Sequence, residues 1–148
     1  MIDLKKDFLI ALPALYVGLK NNWLSSKEVV SIINDNFEKL NLNEKILVDI
    51  NANDDQKTIV LEILRSQNGM DEHSGVKAWQ LASLISIERS ELSMQEKLKE
   101  IELQWSRFEY PESWKGFIYY MPNDEVNTEE ELYQNFLIFL SEEIKNMT

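Results

Sequence analysis

The sequence predicts an all-α protein, and three observations support this prediction. Apolar residues recur at three- and four-residue spacing along most of the chain, which is the period of one helix face. Three capping boxes mark helix starts, and short polar turns separate the periodic segments. With 148 residues, of which 44% are hydrophobic, we expect one compact helical domain over 1–148. It should be a bundle of about seven helices with mixed crossing angles.

The first predicted helix covers 3–22 and contains Pro13. Proline removes a backbone hydrogen bond, so we expect it to kink or split this helix. Ser25 and Glu28 form the first capping box, three residues apart. The helix behind it carries one apolar stripe, made of Val29, Ile32, Ile33, Phe37 and Leu40. A short helix over 43–50 follows.

The middle of the chain is predicted to form two further helices around a loop. Asp54 or Asp55 can cap a helix with Ile59, Val60, Ile63 and Leu64 on its apolar side. Its paired β-branched residues leave a strand as the alternative. The segment 67–75 holds two glycines and no apolar period, which predicts a loop. Helical periodicity resumes over 76–90.

Ser93 and Glu96 form the second capping box and open the most regular helix of the chain. Its stripe has spacings of four and three residues and consists of Met94, Leu98, Ile101, Trp105 and Phe108. Pro111 ends this element because the residue before a proline is disfavoured in a helix.

Pro111 can also begin a short helix that runs to Pro122. A short β-strand over 117–120 is the alternative. Thr128 and Glu131 form the third capping box, which opens a final helix that ends at Asn146.

Composition excludes several function classes. The chain has 26 acidic and 15 basic residues, a net charge of −11, and such a chain repels a phosphate backbone, so we expect no nucleic-acid partner. It contains no cysteine, which removes disulfides and thiolate chemistry. No apolar run approaches a membrane span, and the N-terminus lacks the pattern of a signal peptide. We expect a soluble cytoplasmic protein without a membrane partner.

No motif predicts catalysis, a cofactor or a metal. The single histidine, His73, has no second His or Cys to complete a zinc site, so we interpret it as an exposed loop residue. The segment 49–54 resembles the start of an EF-hand loop. However, Asp54 stands where a glycine is required and Val60 where a bidentate glutamate is required. Pairs of carboxylates at helical spacing are expected to be solvated.

Two features have alternative interpretations, either a solvated acidic surface and a packed aromatic core or a binding surface for a protein partner. Residues 91–148 carry 13 acidic and 5 basic residues, whereas 1–90 carry 13 and 10, and complementary charge selects basic partners. Seven of the fifteen aromatic residues lie within 105–120, and Tyr and Trp often anchor interfaces. Trp105 and Phe108 follow the helix stripe and are assigned to the core. The predicted partner-binding residues are Glu109, Glu112, Trp114, Tyr119, Tyr120, Glu129, Glu130 and Glu131.

Two short segments resemble a known family. Tyr110-Pro111, followed by Phe117-Ile118-Tyr119-Tyr120-Met121-Pro122 and a final amphipathic helix, is similar to the end of a family of small uncharacterised bacterial proteins. The segment from Gly18 to Val29 is similar to the same family. This resemblance implies no catalytic residue. In size, acidity and helical content the chain also resembles the immunity proteins of bacterial toxin systems.

These observations lead to one main hypothesis and two alternatives. The main hypothesis is a non-enzymatic acidic protein-binding domain, most concretely an immunity protein that neutralises a basic bacterial toxin domain. The first alternative is a carboxylate- or metal-dependent enzyme of unknown substrate. The second is a helical scaffold subunit of a larger assembly.

Overall fold

The computed structural model describes residues 8–118 and 128–147, together with all their side chains except that of Met147. This part of the chain contains helices and no strand, which confirms the predicted all-α fold. The elements are α1 (Leu12–Lys20), α2 (Ser26–Asp35), α3 (Phe37–Leu40), α4 (Glu44–Ala52), α5 (Lys57–Arg65), α6 (Glu72–Glu88), α7 (Met94–Arg107), a 3₁₀ helix (Glu112–Phe117) and α8 (Glu129–Met147).

The chain divides into two compact units, Met1–Trp79 and Gln80–Thr148. The boundary falls inside α6. We describe each unit separately, and the single domain over 1–148 remains a prediction.

In the first unit, α1 is the central helix. Its residues 14–19 are all buried, and it packs against α5 and α2. The core combines apolar side chains of these helices, and α1 is buried on all sides because six consecutive residues are covered. Its fully buried members from these three helices are Leu15, Val17, Val29, Ile33, Val60 and Leu64. α5 is a helix, so the alternative prediction of a strand from its β-branched residues is wrong.

Pro13 begins α1 instead of interrupting it. The helix starts at Leu12, after Ala11 with an extended backbone, and residues 10–11 form a bend. Proline is tolerated in the first turn because its missing N–H would have no helical partner there. The predicted helix over 3–22 is therefore split just before Pro13, and residues 1–7 lie outside the described part of the chain.

The predicted loop over 67–75 is too long, because α6 begins at Glu72. The Asp71 carboxylate accepts a hydrogen bond from the His73 backbone N–H at 3.1 Å and so satisfies one donor of the first turn. Gly75 is buried inside this helix, where a Cβ would lie 2.6 Å from the carbonyl carbon of Pro13. This glycine permits a close approach of two helices and does not break one.

The capping boxes at Ser25 and Ser93 are present with both reciprocal hydrogen bonds, as predicted. At the third, the Thr128 hydroxyl accepts a hydrogen bond from the Glu131 N–H at 3.2 Å. The predicted caps of α5, Asp54 or Asp55, are wrong. Residues 53–55 form a turn, and Gln56 occupies the N-cap position without a side-chain hydrogen bond.

In the second unit, α7 and the 3₁₀ helix contribute a core that α8 completes. Trp114 and Phe117 have ring centroids 6.0 Å apart, and Phe117 lies 5.6 Å from Phe136 of α8. The Asn135 amide donates a hydrogen bond to the Gly116 carbonyl at 2.9 Å. Phe117 belongs to the 3₁₀ helix, which corrects the start of the alternative strand over 117–120, and residues 119–120 lie outside the described residues.

Candidate functional site

The C-terminal end of α7 has an unusual backbone. The Glu109 N–H donates to the Ser106 carbonyl at 3.1 Å, and the Tyr110 N–H donates to the Trp105 carbonyl at 2.8 Å. These two bonds form a Schellman motif, in which the residue at the position of Glu109 is usually glycine. Glu109 and Tyr110 have φ values of 63° and 61°. Two consecutive non-glycine residues therefore occupy the left-handed region, which costs about 1–2 kcal/mol per residue.

This backbone places the Tyr110 ring against Trp105. The two rings meet edge to face, with centroids 4.8 Å apart, a favourable arrangement of aromatic pairs. The Trp105 indole is held by a hydrogen bond from Nε1 to the Pro111 carbonyl at 3.0 Å. Trp105 is buried, whereas Tyr110 is 57% exposed and its hydroxyl accepts a hydrogen bond from the Ser106 hydroxyl at 3.5 Å.

The Trp105–Tyr110 pair forms one wall of a surface hollow of about 510 Å³. We call it the aromatic hollow, and it is lined by Lys99, Glu102, Leu103, Trp105, Ser106 and Tyr110. Leu103 is 62% exposed, although it is a large apolar residue. Leu103 and Tyr110 are therefore the exposed apolar part of the aromatic hollow.

A second, smaller hollow adjoins the first along α7. This small hollow has a volume of about 180 Å³ and is lined by Gln95, Leu98, Lys99 and Glu129. Lys99 lines both hollows. Glu129 opens α8 and lines the small hollow, so the acidic first turn of α8 lies near one end of α7, and Glu109 follows the other end. We call the two hollows together the α7 surface.

The predicted glutamates all have solvent access. Glu109, Glu112, Glu130 and Glu131 are exposed, and Glu129 is half-buried. Glu112 forms an exposed ion pair with Lys115 at 3.1 Å, and such pairs contribute about 0–1 kcal/mol. The three glutamates of α8 lie in its first turn, where they also interact favourably with the helix dipole. None of the described charged side chains is buried.

The structure corrects one predicted anchor. Trp114 is 1% exposed and packs between Phe108 and Phe117, so its indole belongs to the core and offers no surface to a partner. Tyr119 and Tyr120 lie outside the described residues.

Sequence reasoning missed the two exposed apolar residues, Leu103 and Tyr110, as site residues. A signal for Leu103 was present, because it is a large apolar residue outside the stripe of α7. The left-handed backbone at Tyr110 had no sequence signal, since glycine is absent from the motif.

Among the described residues, no three His, Cys, Asp or Glu side chains are close enough together to hold a metal ion. His73 is exposed in the first turn of α6 instead of a loop. The segment 49–54 is helical as far as Ala52, so its oxygen atoms do not follow a calcium-binding loop. No helix in the described part of the chain has the length and apolar character needed to cross a membrane.

The described residues form an acidic all-α protein with a surface hollow that Leu103, Trp105 and Tyr110 line together with polar residues, among them Glu102 and Lys99. Comparison with protein families identifies the family of this chain. Residues 2–144 match the family described as "Uncharacterized protein conserved in bacteria (DUF2247)", and the chain belongs to that family. No curated protein matches the chain. No solved structure matches it either.

Proposed function

We propose that this protein is a non-enzymatic acidic protein-binding domain, most concretely an immunity protein that neutralises a basic bacterial toxin domain. The observation that carries the proposal is the composition of the α7 surface. Exposed Leu103 and Tyr110 lie in a hollow that also includes Glu102 and Lys99, and Glu129 lines the adjoining hollow. An apolar centre with a polar rim is the usual anatomy of a protein interface.

Charge would act first in such a complex. All described carboxylates have solvent access, so the excess of 26 acidic over 15 basic residues produces a negative field around the protein. Such a field raises the association rate of a basic partner and rejects acidic ones. Its range is about 8 Å at physiological salt, so this contribution falls as salt is added.

Apolar contacts would then set the lifetime of the complex. Affinity differences among related complexes arise mostly in the dissociation rate. Tyrosine is enriched among the residues that dominate binding energy, and Tyr110 is already ordered against Trp105 at 4.8 Å. A pre-ordered side chain loses less conformational entropy on binding than a mobile one.

The direct test uses the protein encoded by the reading frame immediately upstream of this one. It is expressed under an inducible promoter in bacterial cells, alone and together with the present protein. We expect growth arrest when it is expressed alone and growth when both are present, and a stable complex of the two purified proteins. An upstream product that does not arrest growth, or that arrests it equally in both strains, contradicts the immunity function.

A charge variant tests the steering step of the same complex. The triple change Glu129→Gln, Glu130→Gln and Glu131→Gln should slow association at low salt and leave dissociation nearly unchanged. The matched control changes three exposed glutamates of the first unit, Glu38, Glu44 and Glu62, to glutamine and alters the net charge equally. Equal slowing by both variants would assign the effect to net charge and not to the first turn of α8.

A further inference from the structure

We propose that the aromatic hollow and the small hollow together form the docking surface for a basic amphipathic segment of the partner. This segment carries an apolar side chain at its centre and lysine or arginine on both sides. The inference rests on the proposed function and adds where the partner binds and which chemistry it presents.

The apolar centre of the segment follows from what the surface exposes. Leu103 and Tyr110 are 62% and 57% exposed, and both line the aromatic hollow, whose volume is about 510 Å³. A hollow of this size admits a large apolar side chain, which would cover both residues and contact Trp105 behind them. Burial of such paired apolar surface is the main favourable contribution to association.

The basic flanks follow from the positions of the carboxylates. Glu102 lines the aromatic hollow together with Leu103 and Tyr110, so a carboxylate lies beside the apolar centre at this end. Glu129 lines the small hollow at the other end of the α7 surface. Lys99 lines both hollows and lies between these carboxylates. A complementary segment therefore presents cations at its two ends and a neutral or accepting group opposite Lys99.

The surface is also held in place before a partner arrives. The Schellman hydrogen bonds fix Tyr110, and the bond from Trp105 Nε1 to the Pro111 carbonyl at 3.0 Å fixes the wall behind it. The left-handed backbone at Glu109 and Tyr110 is maintained at a cost in stability. Glycine at the position of Glu109 would relieve that cost but would remove an exposed carboxylate next to Tyr110 in the sequence.

The test is a titration of the ¹⁵N-labelled full chain with three synthetic helical peptides of equal length. The first carries leucine on one face and lysine on both sides of it. The second replaces the leucines with serine, and the third replaces the lysines with glutamate. We expect only the first to shift the backbone signals of Leu103 and Tyr110 and the indole signal of Trp105. Its affinity should exceed that of each of the others by about tenfold or more.

Variants locate the site. Leu103→Ser and Tyr110→Ala should each weaken binding of the first peptide by about tenfold. The matched control is Ile138→Ser, because Ile138 of α8 is 56% exposed and lines neither hollow. Glu102→Gln should weaken binding more than Glu142→Gln, which changes an exposed carboxylate near the other end of α8.

Several outcomes overturn the inference. These are an absence of binding by the first peptide, equal binding by the serine peptide, shifts confined to other surfaces, and equal effects of Leu103→Ser and Ile138→Ser. Neutralisation of the upstream toxin by the Leu103→Ser and Tyr110→Ala variants, at wild-type level, would overturn this docking surface and leave the immunity function intact. Peptide binding at the hollow without a neutralised toxin would contradict the immunity function alone.

Discussion

Gly75→Ala is expected to destabilise the protein, although alanine is the better helix former. Gly75 lies in the first half of α6, where helix propensity alone favours alanine by about 0.8–1.0 kcal/mol. The structure opposes this gain, because a Cβ at Gly75 would lie 2.6 Å from the carbonyl carbon of Pro13 and 2.8 Å from Cγ2 of Val17. The carbonyl belongs to the backbone of α1 and cannot move aside by rotating a side chain.

The magnitude follows from these two opposing effects. Overpacking in a well-packed interior costs about 1–3 kcal/mol, and a backbone obstacle places this site in the upper part of that range. After subtraction of the propensity gain, we expect a net loss of about 1–2 kcal/mol. For a chain of this size, each 1 kcal/mol lowers Tm by about 2–4 °C.

Thermal and urea unfolding of the wild type and the variant, followed by far-UV circular dichroism, measure this loss. The matched control is Gly116→Ala in the 3₁₀ helix, where a Cβ would meet nothing within 4 Å, and its stability should stay within about 0.5 kcal/mol of the wild type. A Gly75→Ala variant as stable as the wild type would refute the close approach of α1 to α6. Hydrogen exchange should place the expected loss of stability in the first unit, which contains Gly75 and Pro13.

Three further predictions concern single residues. The hydrogen bond to Glu72 at 2.5 Å, together with the attraction of its charge, raises the pKa of Lys20 above its ordinary value of 10.5. The stability that the Lys20–Glu72 pair contributes should be present while the pH stays below the ordinary lysine pKa of 10.5. It should be lost as the pH rises through the raised pKa of Lys20. In Glu72→Gln, the midpoint of an NMR titration of Lys20 should fall, and an unchanged midpoint would contradict the pair. Ser93→Ala removes the N-cap of α7 and should cost about 1 kcal/mol in urea unfolding, whereas a neutral effect would show that the cap contributes little. Glu109→Gly relieves a left-handed glutamate and should raise the free energy of unfolding by about 1 kcal/mol, while a loss would show that the carboxylate stabilises the fold.

The elements that sequence predicted well depend on local interactions. Both hydrogen bonds of the capping box at Ser25 join residues three positions apart, so four residues contain the whole signal. The α7 stripe is similar, because a helix repeats its own geometry, and Leu98, Ile101 and Trp105 are buried as their spacing predicted.

The errors arise at residues whose burial depends on packing between elements and not on the spacing within one helix. Gly75 was interpreted as part of a loop because its neighbour, Pro13, is 62 positions away in the sequence. Trp114 was predicted to be an interface anchor because tryptophan is common at interfaces. Its burial depends on Phe108 and Phe117 around it and on the 3₁₀ helix that points it inward.

The α7 surface contains residues that local sequence signals predict and residues whose exposure depends on packing. Only part of it was therefore predicted. The glutamates could be selected from charge alone, since any exposed carboxylate contributes to the field. Tyr110 could not, because its exposure depends on a Schellman motif in which Glu109 replaces the glycine that usually marks such an end. A residue that breaks a local rule at a cost in stability is expected at a functional site. If so, Glu109→Gly should unfold at a higher urea concentration and also bind the basic amphipathic peptide more weakly. A variant that gains stability without losing affinity would show that the strained end of α7 does not contribute to binding.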